Sequence, residues 1–162
     1  MPQKGNTFLK FISSFLQGIF MKKDNYLFKK KFIDYYNIDM AHIDELLSDV
    51  FNSGEMVSLS LSDYESQILL SFIGDKKYEQ SIIDNNEILL LLINNMKSLK
   101  NRDDFVEIMV TTDTQIHISV HIEWKRNLLL YIIFDIKKTN LALAKNRIKT
   151  IVKNIKKILD NE

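Results

Sequence analysis

The polar and apolar positions of this 162-residue chain change period several times, and each change marks an element. In GNTFLKFISSFLQGIF, residues Phe8, Leu9, Phe11, Ile12, Phe15, Leu16, Ile19 and Phe20 fall on one helical face. A short second helix is expected over 28–36. Asp39 can cap a helix that presents Met40, Ile43, Leu46, Leu47 and Val50 as one stripe and ends near Gly54. Two strand-like runs follow at 56–61 and 67–73. Asn85 or Asn86 then marks the start of a helix through ILLLLI (88–93) to about Lys100.

Beyond the polar break at 101–104 the spacing reads as three strands. The first is 105–111. In the second, 115–123, Ile116, Ile118, Val120 and Ile122 alternate with Gln115, His117, Ser119, His121 and Glu123, the period of a strand with one wet face. The third, 128–136, opens with seven unbroken apolar residues, as expected of a central strand covered on both sides. The last helix begins near Thr139 or Asn140 and turns Leu141, Ala144, Ile148, Ile151, Val152, Ile155 and Leu159 inward. From residue 38 the order is α-β-β-α-β-β-β-α. Residues 1–36 form an N-terminal helical extension and 37–162 a single α/β domain of the α+β type.

Helix 86–99 carries the sharpest functional signal. Ile88, Leu89, Leu90, Leu91, Leu92 and Ile93 point in every direction, and a helix apolar all round must be covered all round. One side can lie on the sheet, and the remainder calls for a second protein surface or for cover by the N-terminal helix of the same chain. Burying one leucine is worth about 1.5–3 kcal/mol, so several wet ones are costly. The Phe-rich N-terminal face, flanked by Lys4, Lys10, Lys22 and Lys23, has the make-up of a helix that packs on a partner or lies on an anionic membrane surface.

Charge sharpens this picture without supplying a function. Residues 1–36 hold seven Lys against two Asp, and 137–162 hold seven Lys and one Arg against Asp160 and Glu162. The formal net charge is only +1, so the body between is strongly acidic. The closing lysines read as the solvated face of the last helix. The apolar runs are far short of the roughly 20 residues that span a bilayer, so an integral membrane protein is not expected. With no cysteine, no disulfide or thiolate site is possible, in keeping with a cytoplasmic, reducing location, extended at most to the inner face of a membrane.

Chemistry is sparse. His117 and His121 lie four residues apart on an extended strand, roughly 13 Å at about 3.3 Å per residue, too far to share a metal ion. His42 stands alone beside Asp44 and Glu45, and Asp103 and Asp104 sit in a polar loop. Neither a GxSxG elbow nor a glycine-rich phosphate loop is present. No catalytic role, cofactor or metal is expected. Lys29, Lys30 and Lys31 with Tyr26, Phe28, Phe32, Tyr35 and Tyr36 are the sole basic–aromatic cluster and fit an amphipathic helix better than a nucleic-acid surface.

The element order and the stretch LLYIIFDIKKTNLALA (129–144) resemble the roadblock/dynein light chain family, whose members typically end in an apolar strand, a short turn and an "-ANLGL-" helix start. Asn140, Leu141 and Leu143 match that start, and Ala142 replaces the usual Gly. The resemblance covers about residues 38–160. SLSLSDYE (58–65) stands where the family carries Gly-Ala in its first strand and Asp-Gly in its first turn, and residues 1–36 have no counterpart.

The resemblance implies a five-stranded antiparallel sheet, order 2-1-5-4-3, between the middle helix on one face and the outer helices on the other. It also implies a non-catalytic dimer, of the chain with itself or a paralogue. In such a dimer the edge strand, with Phe105, Glu107 and Met109, pairs across a two-fold axis beside the helix carrying Ile88 to Ile93. By the same resemblance the expected partner is a Ras-like small GTPase, whose nucleotide state or location the dimer modulates. Two alternatives are a secretion-chaperone-like module that binds an extended segment and a peripheral membrane adaptor anchored by residues 8–20.

Overall fold

The computed structural model describes residues 26–52, 54–98, 107–125 and 127–160. The chain divides into two compact units between Tyr36 and Asn37. In the first, residues 26–36 are helical (α1). Phe32 and Tyr36, one turn apart, pack with ring centroids 4.9 Å apart and planes tilted by 50°. The stripe from Phe8 to Phe20 lies outside the described residues.

The second unit contains α2 (Met40–Phe51), β1 (Met56–Asp63), β2 (Ile68–Gly74), α3 (Lys77–Ser98), β3 (Glu107–Thr111), β4 (Gln115–Glu123), β5 (Asn127–Asp135) and α4 (Leu141–Asp160). The strands form one antiparallel sheet in the order β2-β1-β5-β4-β3. This is the order implied by the resemblance. β5 lies in the middle and buries every residue from Leu128 to Phe134, which accounts for its unbroken apolar run.

Short polar side chains start the helices. The Asp39 carboxylate accepts the amide of His42 at 3.2 Å and caps α2. Asn140 Oδ1 accepts the amides of Ala142 and Leu143 at 3.0 and 3.2 Å, so the matched Asn of the closing motif is the N-cap of α4. Gly74 closes β2 at φ +130°, where a Cβ would stand 2.6 Å from the carbonyl oxygen of Val57, so only glycine fits.

Two expectations are corrected. The helix expected to start at Asn85 or Asn86 begins at Lys77, its first turn held by Asp75 Oδ1 accepting the Lys77 amide at 3.1 Å. Its inward stripe is Tyr78, Ile82, Asn86, Leu89 and Ile93. A buried Asn in the middle of that stripe hid the helical period. The face of β4 expected to be wet is instead roofed by the longer α3: Ser119 is 4% exposed, and His117 and His121 are half-buried.

Strand register sorts the sheet into two unlike faces. Leu59, Leu61, Leu130, Ile132, Phe134, Ile118, Val120 and Ile122 form an all-aliphatic and aromatic floor under α2 and α4. The opposite face, under α3, carries Ser58, Ser60 and Ser62 on β1, Leu129, Tyr131 and Ile133 on β5, and His117, Ser119 and His121 on β4.

Candidate partner surface on α3 and β3

The floor beneath α3 is a chain of hydrogen bonds. Asn86, 1% exposed, donates from Nδ2 to Ser62 Oγ at 3.1 Å, and Ser60 Oγ reaches the Tyr131 carbonyl at 3.5 Å. Tyr131 Oη lies 2.6 Å from His117 Nδ1, His117 Nε2 lies 3.1 Å from Gln115 Oε1, and Gln115 Nε2 donates to Tyr78 Oη at 2.6 Å. Burial lowers the His117 pKa and pushes the Tyr131 hydroxyl up to about 12. Near neutral pH both are uncharged. Tyr131 then donates to Nδ1, Nε2–H donates to Gln115, and Gln115 passes a donor on to Tyr78, so these four side chains have compatible neighbours, whereas Asn86 Oδ1 and Ser58 Oγ are buried without a hydrogen-bond partner among the described residues. His121 sits at the other end, 3.0 Å from Asn127 Oδ1. Among the described residues no group of three metal-ligating side chains comes together.

Above this floor, α3 divides its apolar residues. Leu89 and Ile93 are buried with Tyr64 and Leu129 in a small cluster that Ile108 of β3 joins. Ile88, Leu91 and Leu92 face outward at 55%, 65% and 44% exposure, spaced i, i+3, i+4 as one continuous stripe. The side chain of Leu90 and all of Phe105 lie outside the described residues.

β3 is an edge strand, hydrogen-bonded to β4 alone. Its register places Ile108 and Val110 on the α3 side and Glu107 and Met109 on the α4 side. Val110 is 55% exposed and Met109 41%. Glu107 pairs with Lys145 of α4 at 2.8 Å. The α3 side therefore collects Ile88, Leu91, Leu92 and Val110 near an open backbone edge, while Glu107 and Met109 belong to the opposite side of the same edge. Sequence reading missed Val110 and Ile108. The alternation of 107–111 relative to β4 held that information, but only once the pairing register was known.

An antiparallel sheet in this order, with one helix on one face and two on the other, is the roadblock fold. No protein-family model and no curated protein matches the chain. Solved structures do. MglB of Myxococcus xanthus aligns with TM-score 0.62 at 18% identity, over 76% of this chain and 91% of that one. A roadblock/LC7 domain from Streptomyces avermitilis aligns with TM-score 0.60 at 14% identity, over 72% and 96%. The gliding protein MglB of Thermus thermophilus aligns with TM-score 0.53 at 14% identity, over 74% and 93%. At these identities the likeness is one of fold.

Proposed function

We propose that the chain is a non-catalytic, dimeric platform that binds a Ras-like small GTPase and biases its nucleotide state or location. The observation that supports this reading is the exposed stripe of Ile88, Leu91 and Leu92 beside the open edge of β3. An apolar stripe and an unpaired edge are each costly in water, and one two-fold contact with a second copy covers both. Paired α3 helices would then offer a broad surface to the GTPase, which would supply nucleotide, magnesium and chemistry. The roadblock fold and the resemblance at 129–144 support this choice of partner.

Leu91→Arg places a charge on a residue that is already 65% exposed, so the fold is retained. Light scattering should show loss of the α3-mediated dimer. An unchanged mass for both Leu91→Arg and Val110→Asp would remove this interface. Affinity capture from native lysate should recover a P-loop GTPase with the wild-type chain and less with Leu91→Arg. Equal recovery by both would detach GTPase binding from the paired helices.

A second reading concerns residues 1–36 and is compatible with the first. Tyr26, Leu27 and Phe28 of α1 are exposed next to Lys29, Lys30 and Lys31, a combination suited to an anionic bilayer surface. Liposome sedimentation of the chain with and without residues 1–36, which removes both α1 and the stretch before it, tests it. Equal pelleting of the two forms would remove it. Among the described residues no helix is long and apolar enough to cross a membrane.

A further inference from the structure

The side of the molecule away from α3 carries an ordered charge pattern that the platform reading does not use. On α4, Lys149, Lys153 and Lys157 are exposed at i, i+4 and i+8 and form one ridge. On α2, Glu45 and Asp49 are exposed at i and i+4 and form another. None of the five makes an ion pair with another described residue. Between the ridges lies a groove of about 470 Å³, lined by Val50 of α2 and by Leu143, Arg147, Thr150, Ile151 and Asn154 of α4. Leu143 is 54% exposed, and Arg147 is held at the wall by Glu55 at 2.9 Å. Across this face the order is therefore acidic ridge, partly apolar groove, basic ridge.

We propose that the α2/α4 face is a self-association surface, on which a second copy of the chain docks about a two-fold axis running along the groove. Rotation about that axis exchanges left and right, so each lysine ridge meets the carboxylate ridge of the other copy. An axis across the groove would set like against like. α2 runs into β1 and α4 out of β5, each with a reversal of direction, and β1 and β5 are antiparallel, so α2 and α4 are themselves antiparallel. The facing ridges then run antiparallel in both halves of the contact, and the two halves are identical, as an isologous interface requires. Leu143 of each copy gains cover in the groove. The same pattern disfavours a wholly anionic occupant. A bilayer or acidic protein wide enough to reach the lysines would also meet Glu45 and Asp49. This contact is independent of the α3 pairing. If both occur, dimers join through their outer faces into tetramers or longer chains.

The test uses the full-length chain carrying Leu91→Arg, so that self-association through α3 is disabled. At low ionic strength, sedimentation velocity should still show a dimer that weakens as salt screens the ridges. Adding Lys149→Glu and Lys153→Glu makes both ridges acidic, and adding Glu45→Lys and Asp49→Lys instead makes both basic. Each variant alone should self-associate at least about tenfold more weakly, the order expected when several exposed pairs become repulsive. Mixed together, the two should form a heterodimer as tight as the parent. A Leu91→Arg chain that is monomeric at low salt would overturn the proposal, and so would a mixture that stays monomeric. If neither Leu91→Arg nor Val110→Asp changes the wild-type mass, the α3 reading has failed. The charge variants, made without Leu91→Arg, then still report on this face through their own loss of mass.

Discussion

The two faces of the sheet are covered by different chemistry. Under α2 and α4 the contact is aliphatic and aromatic: Leu59, Leu61, Leu130, Ile132 and Phe134 meet Ile43, Leu47, Ile148, Ile151 and Ile155, all at most 2% exposed. Under α3 a line of serines, Tyr131, His117 and Asn86 lies among Leu129, Ile133, Leu89 and Ile93. An apolar contact depends on area and volume, and it tolerates no change of shape without cost. A hydrogen-bonded contact contributes little net stability, yet it penalises any displacement that leaves a buried group unpaired. The α2/α4 side is therefore where folding free energy concentrates. The α3 side sets where a helix sits, and that helix carries the exposed stripe on its outer side.

Truncation of the apolar side should have the largest effect. Phe134 is fully buried at the centre of the sheet, and Phe134→Ala should cost about 3–5 kcal/mol in chemical denaturation. A loss under 1 kcal/mol would mean that this face is not the main source of stability. On the other side, Asn86→Ala removes the partner of Ser62 Oγ and should cost about 1–3 kcal/mol. Its more telling consequence should be looser placement of α3. Amide exchange along 82–93 should quicken relative to α4, whereas Phe134→Ala at matched stability should quicken both together. The same exchange pattern in both variants would erase the proposed division of labour.

How legible each side was follows from the same contrast. β5, the clean alternation of β4 and the stripe of α4 all stand out because apolar burial writes its period directly into the sequence. The cap at Asn140 was readable for a similar reason, since one residue type performs one local task. The polar side was misread twice. Asn86 sits in the buried stripe of α3, so the helix seemed to begin nine residues late. His117, Ser119 and His121 looked solvent-facing because their hydrogen-bond partners, Tyr131, Gln115 and Asn127, are fixed only by strand pairing. The exposed stripe of Ile88, Leu91 and Leu92 was foreseeable as surplus apolar area. That Val110 stands on the α3 side of the edge, and Glu107 and Met109 on the other, required the β3–β4 register.

The smallest effect separates the two classes of histidine by pH. Burial depresses the His117 pKa below its ordinary 6.5, so between those two values the unfolded chain binds more protons than the folded one. The stability contributed by neutral His117 is complete above about 6.5 and falls as pH drops below it, until the depressed folded value is reached. His42 behaves in the opposite sense. Its hydrogen bond to Asp39 raises its pKa, so its contribution is complete below 6.5 and lost as pH rises through the raised value. His42 is fully exposed and screened, which makes its share the lesser of the two. Denaturation midpoints should therefore decline from pH 7 toward pH 5.5. His117→Gln should flatten that decline, since the amide can still pair with Tyr131 without titrating, and His42→Gln should leave it in place. A decline that persists in His117→Gln would show that His117 is not the acid-sensitive group.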